Sequence, residues 1–279
     1  MRRRRTPIEL KSTDQIKLMR AAGLVVAEGL AEMSAAALPG ATTGDLDRIG
    51  REVLARNGAS SSFLGYANPP FPGVICSSRN EAVVHGVPSA DEELAAGDLI
   101  SIDYGAIVAG WHGDAAVTVS VGTPNAQAAA LSAACEKALW DGIAAARVGG
   151  RLGDISHAVQ TSIIASGSYG IVEDYGGHGI GTAMHMDPHI LNYGRPGRGE
   201  RLVAGMAIAI EPMVTLGSPR TLELADQWTV VTVDGSWAAH WEHTVALLTD
   251  GPWVLTAADG GRAELSSRGI AISSLATPD

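Results

Sequence analysis

The residues of this chain best suited to chemistry include two histidines in a glycine-rich stretch, residues 176–185. Four of its ten residues are glycines, and His178 and His185 stand among them. Helices disfavour this composition, because each interior glycine costs about 1 kcal/mol relative to alanine. The stretch is therefore expected to bend around a ligand or a closely approaching strand. A neutral imidazole is a common metal ligand and general base. From this stretch alone, a functional site and a glycine-rich loop with incidental histidines are equally open interpretations.

Four acidic residues lie at the ends of short apolar runs, where a buried charge needs a partner. They are Asp103, Asp114, Glu211 and Glu242. If a hairpin turns between Val108 and Ala109, then Asp103 and Asp114 oppose each other with Cβ atoms about 5 Å apart. Burying such carboxylates is costly unless they are paired or bind a metal, and basic residues are scarce near them in the sequence. The alternative is that all four lie at the surface.

Together with His178, these acids form an oxygen-rich set of ligands able to hold two divalent cations. Such ligands suit Mn²⁺, Fe²⁺, Co²⁺ or Mg²⁺, whereas a structural zinc site would require cysteines. The two cysteines, Cys76 and Cys135, lack the Cys-x-x-Cys spacing of such a site. Two cations about 3.5–4 Å apart can activate a water and polarise a carbonyl. The pattern therefore predicts metal-dependent hydrolysis.

Local patterns predict the helices that support these residues. Ser12 and Gln15 match a capping box and predict a helix over residues 13–37. A second helix is expected to begin at Thr42 or Thr43, and its apolar positions recur at helical spacing.

The chain also contains an internal repeat. Gly44-Asp45-Leu46 recurs 109 positions later as Gly153-Asp154-Ile155. The apolar segment 96–103, which ends on Asp103, recurs 108 positions later as 204–211 and ends on Glu211. This period is too long for a solenoid and predicts a duplicated domain. We expect two related α/β halves whose sheets meet around a central site.

Composition limits the classes of function. The 279 residues carry a net charge of −10, which argues against a nucleic-acid-binding surface. Two cysteines are too few for a disulfide framework and favour a reducing cytoplasm. No apolar run approaches the roughly 20 residues of a membrane helix. The predicted organisation is a basic, flexible N-terminus (1–11), a catalytic domain (12–250, with halves 12–125 and 126–250) and a C-terminal tail (251–279). Residues Arg2–Arg5 are expected to be a solvated end, with contact to RNA or a ribosome as the alternative.

From residue 8 to about 250 the sequence resembles the type I methionine aminopeptidases, which have the pita-bread fold, an α/β (α+β) architecture of two pseudo-twofold halves around an antiparallel sheet. The metal ligands of that family, in order, correspond to Asp103, Asp114, His178, Glu211 and Glu242. Their surroundings match as well, in Ile210-Glu211-Pro212-Met213 and Trp241-Glu242-His243-Thr244, among others. Five ligands in five matching contexts are far more specific than one short motif.

The resemblance implies removal of the initiator methionine from nascent proteins and peptides when the second residue is small. It implies a cofactor of two divalent ions (Co²⁺, Mn²⁺ or Fe²⁺), with Glu211 as proton shuttle. His85 is implied to contact the substrate near the scissile amide, and His185 to bind its carbonyl. The implied partners are nascent polypeptide N-termini, at the ribosome or free of it, and the implied state is a cytoplasmic monomer. The methionine side chain would occupy a pocket formed by Phe63, Tyr66, Phe71, Cys76, Met184 and Trp228.

Several positions depart from the family pattern. Phe63 and Met184 stand where Cys and Phe are expected, His240 where Gln is common, and Met186 in place of an acid. The pocket is therefore less well defined by the sequence than the metal site. Two alternatives remain: an Xaa-Pro aminopeptidase or prolidase, which shares the five ligands, and a non-enzymatic binding protein of the same fold, which would be expected to have lost some of them.

Overall fold

A computed structural model describes residues 8–276 of the chain. The cluster Arg2–Arg5 and the last three residues lie outside the described part. The helices within it are α1 (Thr13–Ala36), α2 (Thr43–Arg56), α3 (Ala126–Ala145), α4 (Leu152–Ser166) and α5 (Arg262–Ser267), with a 3₁₀ turn at Ser274–Ala276. None of these helices is both long enough and apolar enough to cross a membrane.

The strands form one large sheet and two small ones. In chain order they are β1 (Ser60–Ser61), β2 (Ile75–Arg79), β3 (Ala82–Val84), β4 (Leu99–Val108), β5 (Trp111–Ser120), β6 (Gly170–Ile171), β7 (Gly177–Gly179), β8 (Met186–Ile190), β9 (Ala207–Ile210), β10 (Met213–Thr215), β11 (Thr221–Glu223), β12 (Val230–Thr232), β13 (Ala238–His240), β14 (Glu242–Leu248) and β15 (Gly251–Val254). The large antiparallel sheet has the order β1-β4-β5-β14-β9-β7-β8, with β2 added to β4 and β15 to β14. The small sheets are β13-β10-β6 and β11-β12-β3.

The duplicated architecture predicted from the repeat is confirmed. In the first half, α1 packs on β4 and β5, and α2 packs on α1 and β2, around a core that includes Leu30, Ile102 and Tyr104. In the second half, α3 packs on α4 and on β9, β13 and β14, around Leu139, Ile155 and other apolar side chains. Strand β14 lies between β5 of the first half and β9 of the second, so it joins the two halves into one sheet.

The helix starts follow from local hydrogen bonds. Ser12 Oγ accepts from the backbone N–H of Gln15, and the Gln15 side chain accepts from the N–H of Ser12, which completes the predicted capping box. Thr42 and Asp45 form the same arrangement before α2. Each box satisfies backbone donors that the first turn of a helix leaves without partners.

The predicted hairpin register is wrong by two residues. The loop is Ala109-Gly110, so Val108 pairs with Trp111 and Asp103 lies opposite Ala116 rather than Asp114. Both loop residues have positive φ, 50° and 81°, which is typical of a two-residue turn that follows the twist of the strands. A shift of two keeps both aspartates on one face of the sheet, and their carboxyl groups still contact each other across the diagonal.

The boundary predicted at residue 250 falls inside a β-hairpin. Strand β15 pairs with β14 from Gly251 to Val254, and Trp253, Val254 and Leu255 are buried. The half-buried guanidinium of Arg20 on α1 donates to the backbone carbonyls of this segment, those of Leu255, Ala257 and Ala258, at 2.6–2.8 Å. The segment after residue 250 is therefore tied to both the sheet and the first helix.

We expect Arg20→Met to lower the free energy of unfolding by about 2 kcal/mol, because it removes charge-assisted hydrogen bonds to three backbone carbonyls while keeping the aliphatic stem. Arg48→Met is the matched control: its side chain is exposed and pairs only with exposed or half-exposed acids, so about 0.5 kcal/mol or less is expected. Urea denaturation measures both, and equal losses would contradict the role given to Arg20.

Candidate metal centre and active site

One cavity of about 650 Å³ contains every site residue predicted from the sequence. The predicted residues along its wall are Phe63, Tyr66, Phe71, Cys76, His85, Asp103, Asp114, His178, Met184, His185, Glu211, Trp228 and Glu242. The prediction did not include a further group on the wall: Val84, Asp174, Tyr175, Gly176, Met186, Asp187, His189, Met213 and His240. The cavity therefore combines an acidic end with an apolar end.

Strand pairing brings the four acids together from both halves. Asp103 and Asp114 come from the hairpin β4–β5, and Glu242 is the first residue of β14, opposite Ala116 of β5. On the other side of β14, His243 pairs with Ile210 of β9, and Glu211 directly follows Ile210. The acids thus meet where β14 joins the halves.

The acidic end has no basic counterpart. None of the described residues on the cavity wall is Lys or Arg. One carboxyl oxygen each of Asp103, Asp114 and Glu242 is fully buried and has no hydrogen-bond partner among the described residues. Buried carboxylates without partners are strongly unfavourable, so the donor set fits divalent cations, which provide the missing positive charge.

Burial sets the protonation of these acids in the cation-free protein. Loss of solvent raises the pKa of Asp114 to about 7. Burial, with the added charge of neighbouring carboxylates, raises the pKa of Asp103, Glu211 and Glu242 well above the ordinary range. The cluster therefore holds protons at neutral pH until a cation displaces them.

His178 is oriented as a metal ligand. Its Nδ1 lies 3.0 Å from the carbonyl oxygen of Gly179, and since a carbonyl can only accept, Nδ1 carries the proton. The lone pair is then on Nε2, which faces Oε1 of Glu211 at 3.5 Å. Burial lowers the pKa of His178 to about 3, so the ring is neutral. A proton fixed on one nitrogen and a free lone pair on the other are typical of a ligating histidine.

The glycines around His178 permit close packing of strands. A Cβ on Gly177 would lie 2.2 Å from the carbonyl oxygen of Ala209, and one on Gly179 would lie 2.2 Å from that of Asp187. Strand β7 lies between β8 and β9, and their backbones come so close that only glycine fits at positions 177 and 179. Only Gly177–Gly179 of the glycine-rich stretch form a strand, β7, which places His178 among the acids, and residues 181–185 form a bend after it.

Two compact groups of possible ligands share one residue. Asp114, His178 and Glu242 form the first, and Glu211, His240 and Glu242 form the second; within each group the ligand atoms lie within 4.8 Å of one another. Asp103 is outside both groups, although it lies on the same wall and contacts Asp114. The sequence marked His240 as a departure from the family pattern and did not assign it as a ligand. The signal in the sequence was that His240 and Glu242 are two positions apart, a spacing that places both side chains on the same face of an extended chain.

The apolar end of the cavity is a small cluster of buried side chains. It consists of Phe63, Phe71, Cys76 and Met184, with Val87 and Trp228 packed against them. Phe71 meets Trp228 edge to face at 5.0 Å. Burial and the nearby carboxylates raise the pKa of the Cys76 thiol well above its usual value, so Cys76 is an uncharged part of the apolar wall.

Tyr66 lies at the mouth of the cavity rather than within this cluster. Its side chain is 39 % exposed, and its hydroxyl shares a 2.7 Å hydrogen bond with Nδ1 of His185. The centroid of the His185 ring lies 4.4 Å from that of His178, and both rings lie on the cavity wall. Burial lowers the pKa of His185, so this ring is kept neutral.

His85 faces the cavity from a strained position. Its φ of 59° is in the left-handed region, uncommon for a residue with a side chain and often associated with function. Its ring packs edge to face on Tyr175 at 5.6 Å. Burial lowers the pKa of His85 to about 4, so it also is neutral near pH 7.

Comparison with solved structures identifies the fold. The crystal structure of methionine aminopeptidase from Thermotoga maritima superposes with a TM-score of 0.87 at 39 % identity, covering 90 % of this chain and 99 % of that one. The prolidase from Pyrococcus furiosus gives a TM-score of 0.71 at 21 % identity and covers 89 % of this chain and 65 % of the prolidase. The second likeness shows the fold alone. The architecture is the pita-bread fold.

Sequence comparison identifies the family. Methionine aminopeptidase 1 of Mycobacterium tuberculosis is 52 % identical over 259 residues, which are 91 % of this chain and 97 % of the relative. Residues 17–248 match metallopeptidase family M24. The family match includes all four clustered acids and His178. The chain belongs to metallopeptidase family M24.

Proposed function

We propose that this protein removes the N-terminal methionine from nascent proteins and peptides when the second residue is small. The observation that carries the proposal is a single cavity with a buried acidic cluster lacking basic partners at one end and an apolar pocket at the other. The close relatives named methionine aminopeptidase support the same reaction.

The acidic cluster would hold two divalent cations, and Co²⁺, Mn²⁺ and Fe²⁺ all suit its ligands. Asp103, Asp114, His178, Glu211 and Glu242 would bind them. When bound, such cations ionise water and polarise a carbonyl. Membership of a metallopeptidase family and the unpartnered buried oxygens support the use of divalent cations.

The cavity explains why only a terminal residue would be cut. A free α-amine, once deprotonated, would offer a nitrogen lone pair to a cation held in the acidic cluster, whereas the nitrogen of an internal amide has no such lone pair. The methionine side chain would then enter the pocket of Phe63, Phe71, Cys76, Met184 and Trp228, with Tyr66 at its entrance. Sulfur packs well against such aromatic walls.

The remaining groups would handle protons and the carbonyl. The carboxylate of Glu211 would take a proton from the attacking water and return it to the leaving amine. His185, neutral and protonated on Nε2, would donate a hydrogen bond to the scissile carbonyl oxygen as negative charge develops there. His85 would contact the substrate near the scissile amide.

The substrate implies the setting of the enzyme. Nascent polypeptides are made in the cytoplasm, so we propose a cytoplasmic enzyme that meets its substrates at the ribosome or shortly after release. We propose the monomer as its working form and a single catalytic domain that begins near Ser12.

The function is tested with three peptides in matched buffers. We expect Met-Ala-Ser to be hydrolysed to Met and Ala-Ser with Mn²⁺ or Co²⁺. We expect N-acetyl-Met-Ala-Ser to resist hydrolysis, because acetylation removes the free lone pair of the α-amine. An Ala-Pro dipeptide tests the prolidase alternative. Free amino acids released over time are measured by chromatography. Activity that survives a chelator, or no cleavage of Met-Ala-Ser with either cation, would contradict the proposal.

Tyr66 provides a test of how His185 is held. If its hydroxyl donates to Nδ1 and so keeps the proton on Nε2, then Tyr66→Phe should lower kcat about tenfold with little change in KM for Met-Ala-Ser. His185→Ala should lower kcat about 100-fold or more. Both variants should bind cations as the parent does, as measured by metal analysis after dialysis. A Tyr66→Phe variant that changes KM alone would make Tyr66 a pocket residue instead.

The raised carboxyl pKa values predict how cation binding depends on pH. A carboxyl whose folded-state pKa is raised holds its proton more tightly when folded, so the cation-free protein loses stability as pH rises from about 4 through about 7. A cation replaces those protons and removes that loss. The increase in Tm on adding Mn²⁺ instead of chelator should therefore grow from pH 5.5 to 7.5. Asp103→Asn should reduce this increase and abolish activity, whereas an increase independent of pH would contradict the account.

A further inference from the structure

His240 is a buried imidazole in the acidic end to which the five-residue ligand set gives no role. Its side chain is 2 % exposed and lies on the cavity wall. Its Nε2 is fully buried and accepts or donates no hydrogen bond within residues 8–276. A buried polar atom without a partner is rare in folded proteins and calls for an explanation.

The two imidazoles are arranged similarly about one carboxylate. Nε2 of His178 lies 3.5 Å from Oε1 of Glu211, and Nε2 of His240 lies 3.6 Å from Oε2 of the same side chain. Each histidine also belongs to one of the two compact groups of possible ligands, and Glu242 belongs to both. The cluster thus divides into two cation-sized groups with one nitrogen in each.

The distances fit ligands of a shared cation better than a hydrogen bond. An N–H···O hydrogen bond spans about 2.7–3.2 Å, which is shorter than either separation. Two ligands bound to one cation at about 2.1 Å lie about 3.0–3.4 Å apart on neighbouring positions. The observed separations need only a small inward shift to bind a cation.

The backbone holds His240 firmly in place. Its N–H donates to the hydroxyl oxygens of Thr118 and Ser101, at 3.0 and 3.2 Å. Its carbonyl accepts from the Thr118 hydroxyl at 2.6 Å. A ligand carried on a fixed strand loses little entropy when it binds, so His240 is preorganised towards the cluster.

We propose that Nε2 of His240 is a ligand of the second cation, which gives each of the two cations one imidazole. The inference rests on the proposed two-cation function and assigns an additional residue to it. Nitrogen ligands favour Co²⁺ and Fe²⁺ over Mn²⁺, for which oxygen ligands suffice. His240 therefore makes the second position more selective than a purely carboxylate position.

The test compares cation binding by His240→Gln and by the parent protein. Glutamine is polar and of similar reach but a poor ligand for Co²⁺. His157→Gln, at an exposed position on α4, is the matched control. Isothermal titration calorimetry with Co²⁺ and with Mn²⁺ gives the Kd of each cation. In His240→Gln we expect the Kd of the second Co²⁺ to rise at least about tenfold, that of the second Mn²⁺ to rise less, and that of the first cation to stay within about threefold.

A measurement on the parent protein keeps the proposal testable if the variant fails to fold. Proton NMR of the form loaded with two Co²⁺ should show two exchangeable, hyperfine-shifted imidazole N–H resonances, one from each ligating histidine. A single resonance with two cations bound, or unchanged Co²⁺ affinity in His240→Gln, would overturn the role of His240 and leave the proposed function standing. A parent protein that binds neither cation would overturn both.

Discussion

The main constraint on this structure is that its sheet brings four carboxyl groups together in one largely buried place. Asp103, Asp114, Glu211 and Glu242 are held at the junction of two half-sheets, and no described basic side chain reaches the cavity wall. Such a cluster is unfavourable for the apo protein, which retains protons there at neutral pH. Because the cluster is unfavourable without cations, binding divalent cations there would stabilise the folded protein. The family match is consistent with that use.

The duplication explains how the four acids come together. The residues that have no counterpart in the other half explain how the site could bind a peptide. Strand β4 and the end of β9 supply equivalent acids from the two halves, and β14 brings in Glu242 between them. Strand β7, in which glycines permit close packing, then adds His178 from the second half alone. Loops of the first half supply Phe63 and Phe71, while Met184 and Trp228 come from the second. The two repeated halves supply the acids. The residues added outside the repeat make one end of the cavity acidic and the other apolar, so a peptide could bind in a single orientation.

Burial gives three histidines of the cavity a common property. Loss of solvent lowers the pKa of His85, His178 and His240 to about 3–4, so each is neutral under ordinary conditions. A charged imidazole could not bind a cation, whereas a neutral one has both a donor and an acceptor. The same low polarity therefore raises the carboxyl pKa values and keeps the imidazoles available as ligands and hydrogen-bond donors.

The sequence alone determined the features that depend on neighbouring residues. The capping boxes at Ser12 and Thr42 fixed the helix starts because their hydrogen bonds span three residues. Acids beside apolar runs identified the cluster, because burial of those runs forces the charges inward. The internal repeat predicted the two halves, and the matching contexts predicted the family.

Tertiary structure decided what depends on distant parts of the chain. The register of Asp103 and Asp114 follows from the positive φ values of Ala109 and Gly110, which residue types only weakly indicate. The pairing of β15 and its anchoring by Arg20 join residues more than 230 positions apart. Likewise Tyr66 meets His185 across 119 positions. Local hydrogen bonds and side-chain periodicity can be predicted from neighbouring residues in the sequence. Contacts between distant segments form only when the strands of the sheet pair in the folded protein.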